Sequence, residues 1–138
     1  MFKKLRKNEK GFTLAELLIV VAIIGVLVAI SIPIFTGQLE KAREATDAAN
    51  IRAAYAAVST DVLLDSQADD TANGVTYDAD RKTYSATVKS TQKEAEWKTD
   101  SIKNDGIGGQ KVAAQVNGAE WKITGDVATG KVTITSAA

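Results

Sequence analysis

From Leu17 to Ile30 every residue is apolar or glycine, and the run continues past Ser31 and Pro33 to Phe35. At about 19 residues it matches the roughly 20 that a helix needs to cross the hydrocarbon of a bilayer. Only a helix or a closed barrel satisfies its own backbone hydrogen bonds in lipid, so one run of this kind predicts a helix. A secretory signal has a shorter apolar core, about 7–15 residues, followed by a small-residue cleavage site. This run is too long, and no Ala-x-Ala site separates it from the helical pattern that follows.

The charge is divided at Gly11. Five of the 17 basic residues (Lys3, Lys4, Arg6, Lys7 and Lys10) precede it, with Glu9 alone of the 17 acidic ones, leaving 12 basic against 16 acidic beyond. A basic flank predicts a cytoplasmic N-terminus. The mildly acidic remainder predicts no nucleic-acid partner held by bulk charge. With no cysteine and no histidine, the chain has no disulfide, thiolate nucleophile or Cys/His zinc site, and no metal or cofactor is expected.

The junction has a specific form. The basic leader ends in Lys10-Gly11, and Phe12-Thr13-Leu14-Ala15-Glu16 opens the apolar run. This closely resembles the class III signal of type IV pilins and pseudopilins, over about the first 45 residues. The resemblance implies that a membrane peptidase cuts between Gly11 and Phe12 on the cytoplasmic side and methylates Phe12. It leaves the apolar helix in the mature protein, with the globular part outside. The absence of a side chain on Gly11 suits close approach to the scissile bond.

Glu16 stands one helical turn beyond the new terminus, where a carboxylate is costly unless paired or at the interface. The resemblance implies a match with the Phe12 amine of the same or a neighbouring subunit, which would set the stagger of a helical array. Snorkelling to the cytoplasmic interface is the alternative. Pro33 removes the hydrogen bond to the Ala29 carbonyl and predicts a bend. Gly25 lowers helix propensity by about 1 kcal/mol relative to alanine. The resemblance implies that this stretch melts locally inside filaments.

Beyond Phe35 the chain is amphipathic and rich in alanine, and the helix is expected to continue to about Asp65, roughly 80 Å in all at 1.5 Å per residue. Ala48, Ile51, Tyr55, Val58 and Val62 form an apolar stripe for a sheet. Arg43–Asp47 and Glu40–Arg43 read as exposed charge pairs. Residues 66–74 form a turn-rich break, and Asp69 and Asp70 lack the further oxygens of a calcium site. Residues 75–90 suggest a loose hairpin around Tyr77, Tyr84 and Val88, and 93–100 is ambiguous between a helical turn and a loop.

The C-terminal residues read as three strands, at 111–116, 119–124 and 131–136. Asn117-Gly118 is expected to form a type I′ hairpin turn. Trp121, Ile123, Val132 and Ile134 alternate with polar residues and should face the helix stripe. The fold class is therefore α+β, a long N-terminal helix packed on a small antiparallel sheet, as in pilins. Its parts are the leader 1–11, the membrane or filament-core helix 12–35, the amphipathic helix 36–65 and a head 66–138 whose meander lies at about 111–135.

GDVATGKV, residues 125–132, nearly spells a phosphate-binding loop, but it lacks the hydroxyl residue after Lys131 and sits between two strands with no following helix. NDGIGGQK, residues 104–111, follows no expected strand. Nothing assembles a catalytic set. The resemblance implies a structural subunit in a helical filament of like copies, used for adhesion or motility. It implies a prepilin peptidase, an assembly ATPase, a platform membrane protein and the cytoplasmic membrane as partners before the fibre reaches the cell surface. Two alternatives stand: a pseudopilin of a secretion or DNA-uptake apparatus, and a membrane-anchored binding module using Trp97 or the loops around Asn104–Gln110.

Overall fold

The structure, a computed structural model, describes residues 13–137. It falls into two compact units, Met1–Gln38 and Leu39–Ala138. One α-helix, α1 (Leu14–Leu64), supplies the described part of the first unit and opens the second. It runs unbroken through Gly25 and Pro33. After Leu64 the backbone enters the left-handed region at Asp65 (φ 45°) and Gln67 (φ 57°). Tyr84 pins that turn: its hydroxyl accepts the Gln67 N–H at 2.8 Å and donates to Asp65 at 3.4 Å.

The second unit holds β1 (Thr76–Asp78), β2 (Thr83–Lys89), α2 (Asp100–Asp105), β3 (Glu120–Asp126) and β4 (Val132–Ala137). The four strands form one antiparallel sheet in the order β1-β2-β3-β4. The period-2 alternation puts Tyr84, Ala86, Val88, Trp121, Ile123, Val132 and Ile134 on the buried face. The register lines up Ala86, Ile123 and Ile134 across three strands. This face joins Ala48, Ile51, Val58 and Val62 of α1 in the core, with Tyr55 half-buried beside it. Helix and sheet approach closely at Gly125, where an added Cβ would meet Val58 Cγ1 at 2.8 Å and Val62 Cγ2 closer still. Gly125 therefore serves helix–sheet approach inside β3 rather than opening a loop.

Three expectations are corrected. Residues 111–116 form no strand, so the meander does not begin there. The two edges of β3 are occupied by β2 and β4, which leaves the segment no neighbour on that strand. Two of its carbonyls serve tryptophans instead: Trp97 Nε1–H donates to Val112 O and Trp121 Nε1–H to Ala113 O, each at 2.7 Å. Asn117-Gly118 consequently joins no pair of sheet strands. Its turn is closed by Ala119 N–H donating to Val116 O at 3.0 Å. Gly118 has φ 91° while Asn117 is not in the left-handed region, the pattern of type II rather than I′. Finally, Glu40 and Asp47 are not on an exposed face but are buried, together with Glu44 and Asp61.

Candidate assembly segment and the acidic face of the helix

Gly11 and Phe12 lie outside the described residues. The described helix begins with a reciprocal cap. Thr13 N–H donates to Glu16 Oε2 at 3.0 Å, and Glu16 N–H donates to Thr13 Oγ1 at 3.2 Å. This is a capping box, which satisfies two of the free amides at a helix start. Glu16 is exposed, and its Oε1 accepts nothing among the described residues. The T-x-x-E signal stands openly in Thr13–Glu16, and a reading of Glu16 as a charge alone passes over it.

From Leu14 to Thr36 every side chain is exposed, including Leu14, Leu18, Ile24, Leu27, Ile32 and Phe35. An apolar patch of this size on all sides of a helix implies an apolar surrounding. Among the described residues this is the helix long and apolar enough to cross a membrane. An added Cβ at Gly25 would meet nothing within 4 Å. Around Pro33, Ser31 Oγ donates to Leu27 O at 2.7 Å and Thr36 Oγ1 to Pro33 O at 3.0 Å. Neither hydroxyl reaches the Ala29 carbonyl, the one that the proline deprives of its N–H donor.

In the head half of α1 the unusual feature is buried charge. Glu40, Glu44 and Asp47 share one helix face at i, i+4 and i+7. Opposite them runs residues 90–99, a strap with no regular structure between β2 and α2. Glu40 accepts the amides of Lys93 and Glu94 at 3.0 and 3.1 Å, and the Arg43 guanidinium at 3.2 Å. Glu44 accepts Lys98 N–H at 2.6 Å, Thr99 N–H at 2.8 Å and Thr99 Oγ1–H at 2.6 Å. Asp47 accepts Thr91 N–H and Thr91 Oγ1–H, while the Ser90 hydroxyl, 3.3 Å from Asp47, donates to the nearer Gln115 O at 2.5 Å. The strap lacks a ladder of its own, and these carboxylates take the place of one. At Glu40, burial pushes the carboxyl up, but the Glu94 amide, Arg43 and the Lys93 amide outweigh it and hold it below its ordinary range.

Asp61 is the opposite case. It is 7% exposed, and its Oδ2 has no partner. Burial, and then the Asp70 carboxylate, push its carboxyl upward. Gln92 on the strap is likewise fully buried, with neither side-chain amide atom paired. No group of acidic side chains with metal-ligand geometry occurs among the described residues.

Of the residues singled out by sequence, Ile51, Val58, Val62, Trp121, Ile123, Val132 and Ile134 are all buried together. Tyr55 lies at the core margin, its ring against Gly108. Trp97 is buried and stacked on Trp121, with ring centroids 5.9 Å apart, so it presents no exposed aromatic contact.

Residues 6–32 match the family model described as the prokaryotic N-terminal methylation motif. Over 52 residues the chain is 52% identical to the type IV narrow pilus major component PilA5 of Thermus thermophilus, covering 36% of this chain and 45% of that one. The N-terminal segment thus resembles that of type IV pilins. Over 50 residues it is 46% identical to the type IV major pilin protein PilA of Myxococcus xanthus, covering 36% of this chain and 23% of the relative. Over 36 residues it is 54% identical to the fimbrial protein EcpB of Eikenella corrodens, covering 26% and 23%. The matched region thus spans less than half the length of each of these relatives. No solved structure matches the chain. The long helix on an antiparallel sheet is the pilin-like α+β architecture.

Proposed function

We propose that this chain is a structural subunit, a pilin precursor. It is cut between Gly11 and Phe12, methylated at Phe12 and assembled into a type IV pilus for surface adhesion or motility. The observation that carries this reading is a membrane-length helix, unpartnered on every side, that follows directly on a methylation motif. Such a surface has two stable environments, lipid before assembly and the same surface of other copies afterwards. The resemblance to pilus and fimbrial proteins favours the fibre over a pseudopilus. In this reading the N-terminus stays cytoplasmic before assembly, and a prepilin peptidase, an assembly ATPase and a platform membrane protein act on the chain. The parts are then the leader 1–11, the core helix 12–35, the amphipathic helix 36–65 and the head 66–138.

Glu16 has a divided role. One oxygen caps its own helix at Thr13, and the other, which accepts nothing among the described residues, would meet the Phe12 amine of an adjacent subunit. Pairing those charges in an apolar surrounding offsets the cost of burying either alone. Around Gly25 and Pro33 the single chain is helical, and local melting belongs to the packed fibre.

The intact mass of the protein in sheared surface material tests the reading. The expected species lacks residues 1–11 and carries one added methyl. The same processed species confined to the membrane fraction would point to a pseudopilus, and retention of the leader in cells that contain the peptidase would overturn the processing step. Glu16→Ala is expected to leave the protein membrane-bound and cleavable but to abolish fibres. Wild-type fibre yield from that variant would remove Glu16 from assembly.

A further inference from the structure

Seven strap donors that meet the helix end on groups that titrate: the Thr91 amide and hydroxyl, the amides of Lys93, Glu94 and Lys98, and the Thr99 amide and hydroxyl. The sheet is held by amide–carbonyl pairs, which do not titrate. Both oxygens of all three carboxylates are occupied. Glu40 uses Oε1 for Lys93 and Glu94 and Oε2 for Arg43. Glu44 uses Oε1 for Lys98 and Oε2 for Thr99. Asp47 takes the Thr91 amide across both oxygens and the Thr91 hydroxyl on Oδ1. A proton added at any of these oxygens sits beside an existing N–H or O–H donor, and it weakens those bonds because a neutral carboxyl accepts less strongly than a carboxylate.

We propose that Glu40, Glu44 and Asp47 form an acid-released latch, whose protonation frees both flanks of the strap from α1 while the sheet stays folded. Trp97, between the flanks, is held by its bond to Val112 O and its stack on Trp121. Neither contact titrates, so Trp97 stays seated as a pivot and the opening reverses when the acid is removed. The charged groups around the latch are few. Arg43 on α1 bonds Glu40. Lys98 on the strap pairs with Glu94 at 2.7 Å and feels Glu40 and Glu44. Lys103 of α2 pairs with Glu96 at 3.7 Å. Lys93 and Asp100 are exposed at the strap and the start of α2. The carboxylates among them, Glu94, Glu96 and Asp100, are all exposed, and Glu94 and Glu96 are paired with lysines.

The depressed Glu40 carboxyl sets the direction. Its contribution is present above the unfolded value of 4.5 and is lost as pH falls through the lower folded value. The Glu40 end of the latch, which holds Lys93 and Glu94, thus opens on the acid side of the ordinary carboxylate range. This inference does not depend on the filament reading, since it concerns the head of a single chain.

The test is amide hydrogen exchange of the full chain in detergent micelles, corrected for intrinsic rates and followed from about pH 6.5 to about pH 3. The amides of Thr91, Lys93, Glu94, Lys98 and Thr99 are expected to lose about tenfold or more protection together. The Trp121 and Ile123 amides and the Trp97 indole N–H are expected to hold. Glu44→Gln puts a donor among donors and is expected to free Lys98 and Thr99 at about pH 6.5, without acid. Should that variant not fold, Thr99→Val removes one of Glu44's three strap donors and is expected to raise the pH midpoint of opening. Strap and sheet losing protection in one transition would overturn the proposal. So would strap protection that persists to the pH at which the head unfolds, or a wild-type midpoint in whichever variant folds.

Discussion

The two halves of α1 use the hydrophobic effect in opposite ways. Leu14 to Gln38 exposes its apolar residues, while Leu39 to Leu64 buries an apolar stripe and four carboxylates. The first half is exposed on every side among the described residues and is defined by what surrounds it. The second is defined by its own head, down to hydrogen bonds for Glu40, Glu44 and Asp47. One unbroken helix can thus carry two folding environments, because its backbone hydrogen bonds are local and leave the side chains free to match either.

Substitutions in the two halves should separate cleanly, each read by thermal or chemical unfolding of the full chain in micelles. The largest effect is expected from Trp121→Ala, which empties the core and should cost about 3–5 kcal/mol. Glu44→Ala comes next. It leaves two amides and a hydroxyl buried without an acceptor and should cost about 2–3 kcal/mol. Gly125→Ala drives a methyl into Val58 and Val62 and should cost about 1–3 kcal/mol, recovered in part by Val62→Ala in the same chain.

Asp61→Asn should act in the other direction, stabilising the head by about 1 kcal/mol at neutral pH, since it removes an unpaired buried charge. The sign follows from the raised carboxyl. Its favourable, protonated state is present below the ordinary value of 3.8 and is lost as pH rises through the higher folded value. The gain from Asp61→Asn should therefore shrink as the pH is lowered. The smallest effect is expected from Val26→Ala, within about 0.5 kcal/mol for head unfolding. A drop comparable to that of Trp121→Ala would mean that the two halves do not fold independently.

The resemblance and the fold class were both legible before any coordinates. The apolar run, the Lys10-Gly11-Phe12 junction and the Ile51–Val62 stripe are local, periodic signals that survive in any tertiary setting. The alternation in 119–124 and 131–136 also placed Trp121, Ile123, Val132 and Ile134 on one face. The capping box at Thr13–Glu16 was equally present in the letters, and the search for a charge partner hid it.

What only the tertiary structure decided is who pairs with whom. Residues 111–116 carry a strand-like pattern, yet β2 comes from some 30 residues upstream to take the edge of β3. Strand choice is a competition between distant segments, and no local pattern records its outcome. The same holds for the acids. Glu40 and Asp47 have the spacing of surface pairs with Arg43, and periodicity assigns charged positions to solvent. They are buried because an irregular strap, more than 40 residues away along the chain, brings amides that have no other acceptor. Local sequence can state that a charge is present; its environment is supplied by chain segments that reach it only in the folded protein.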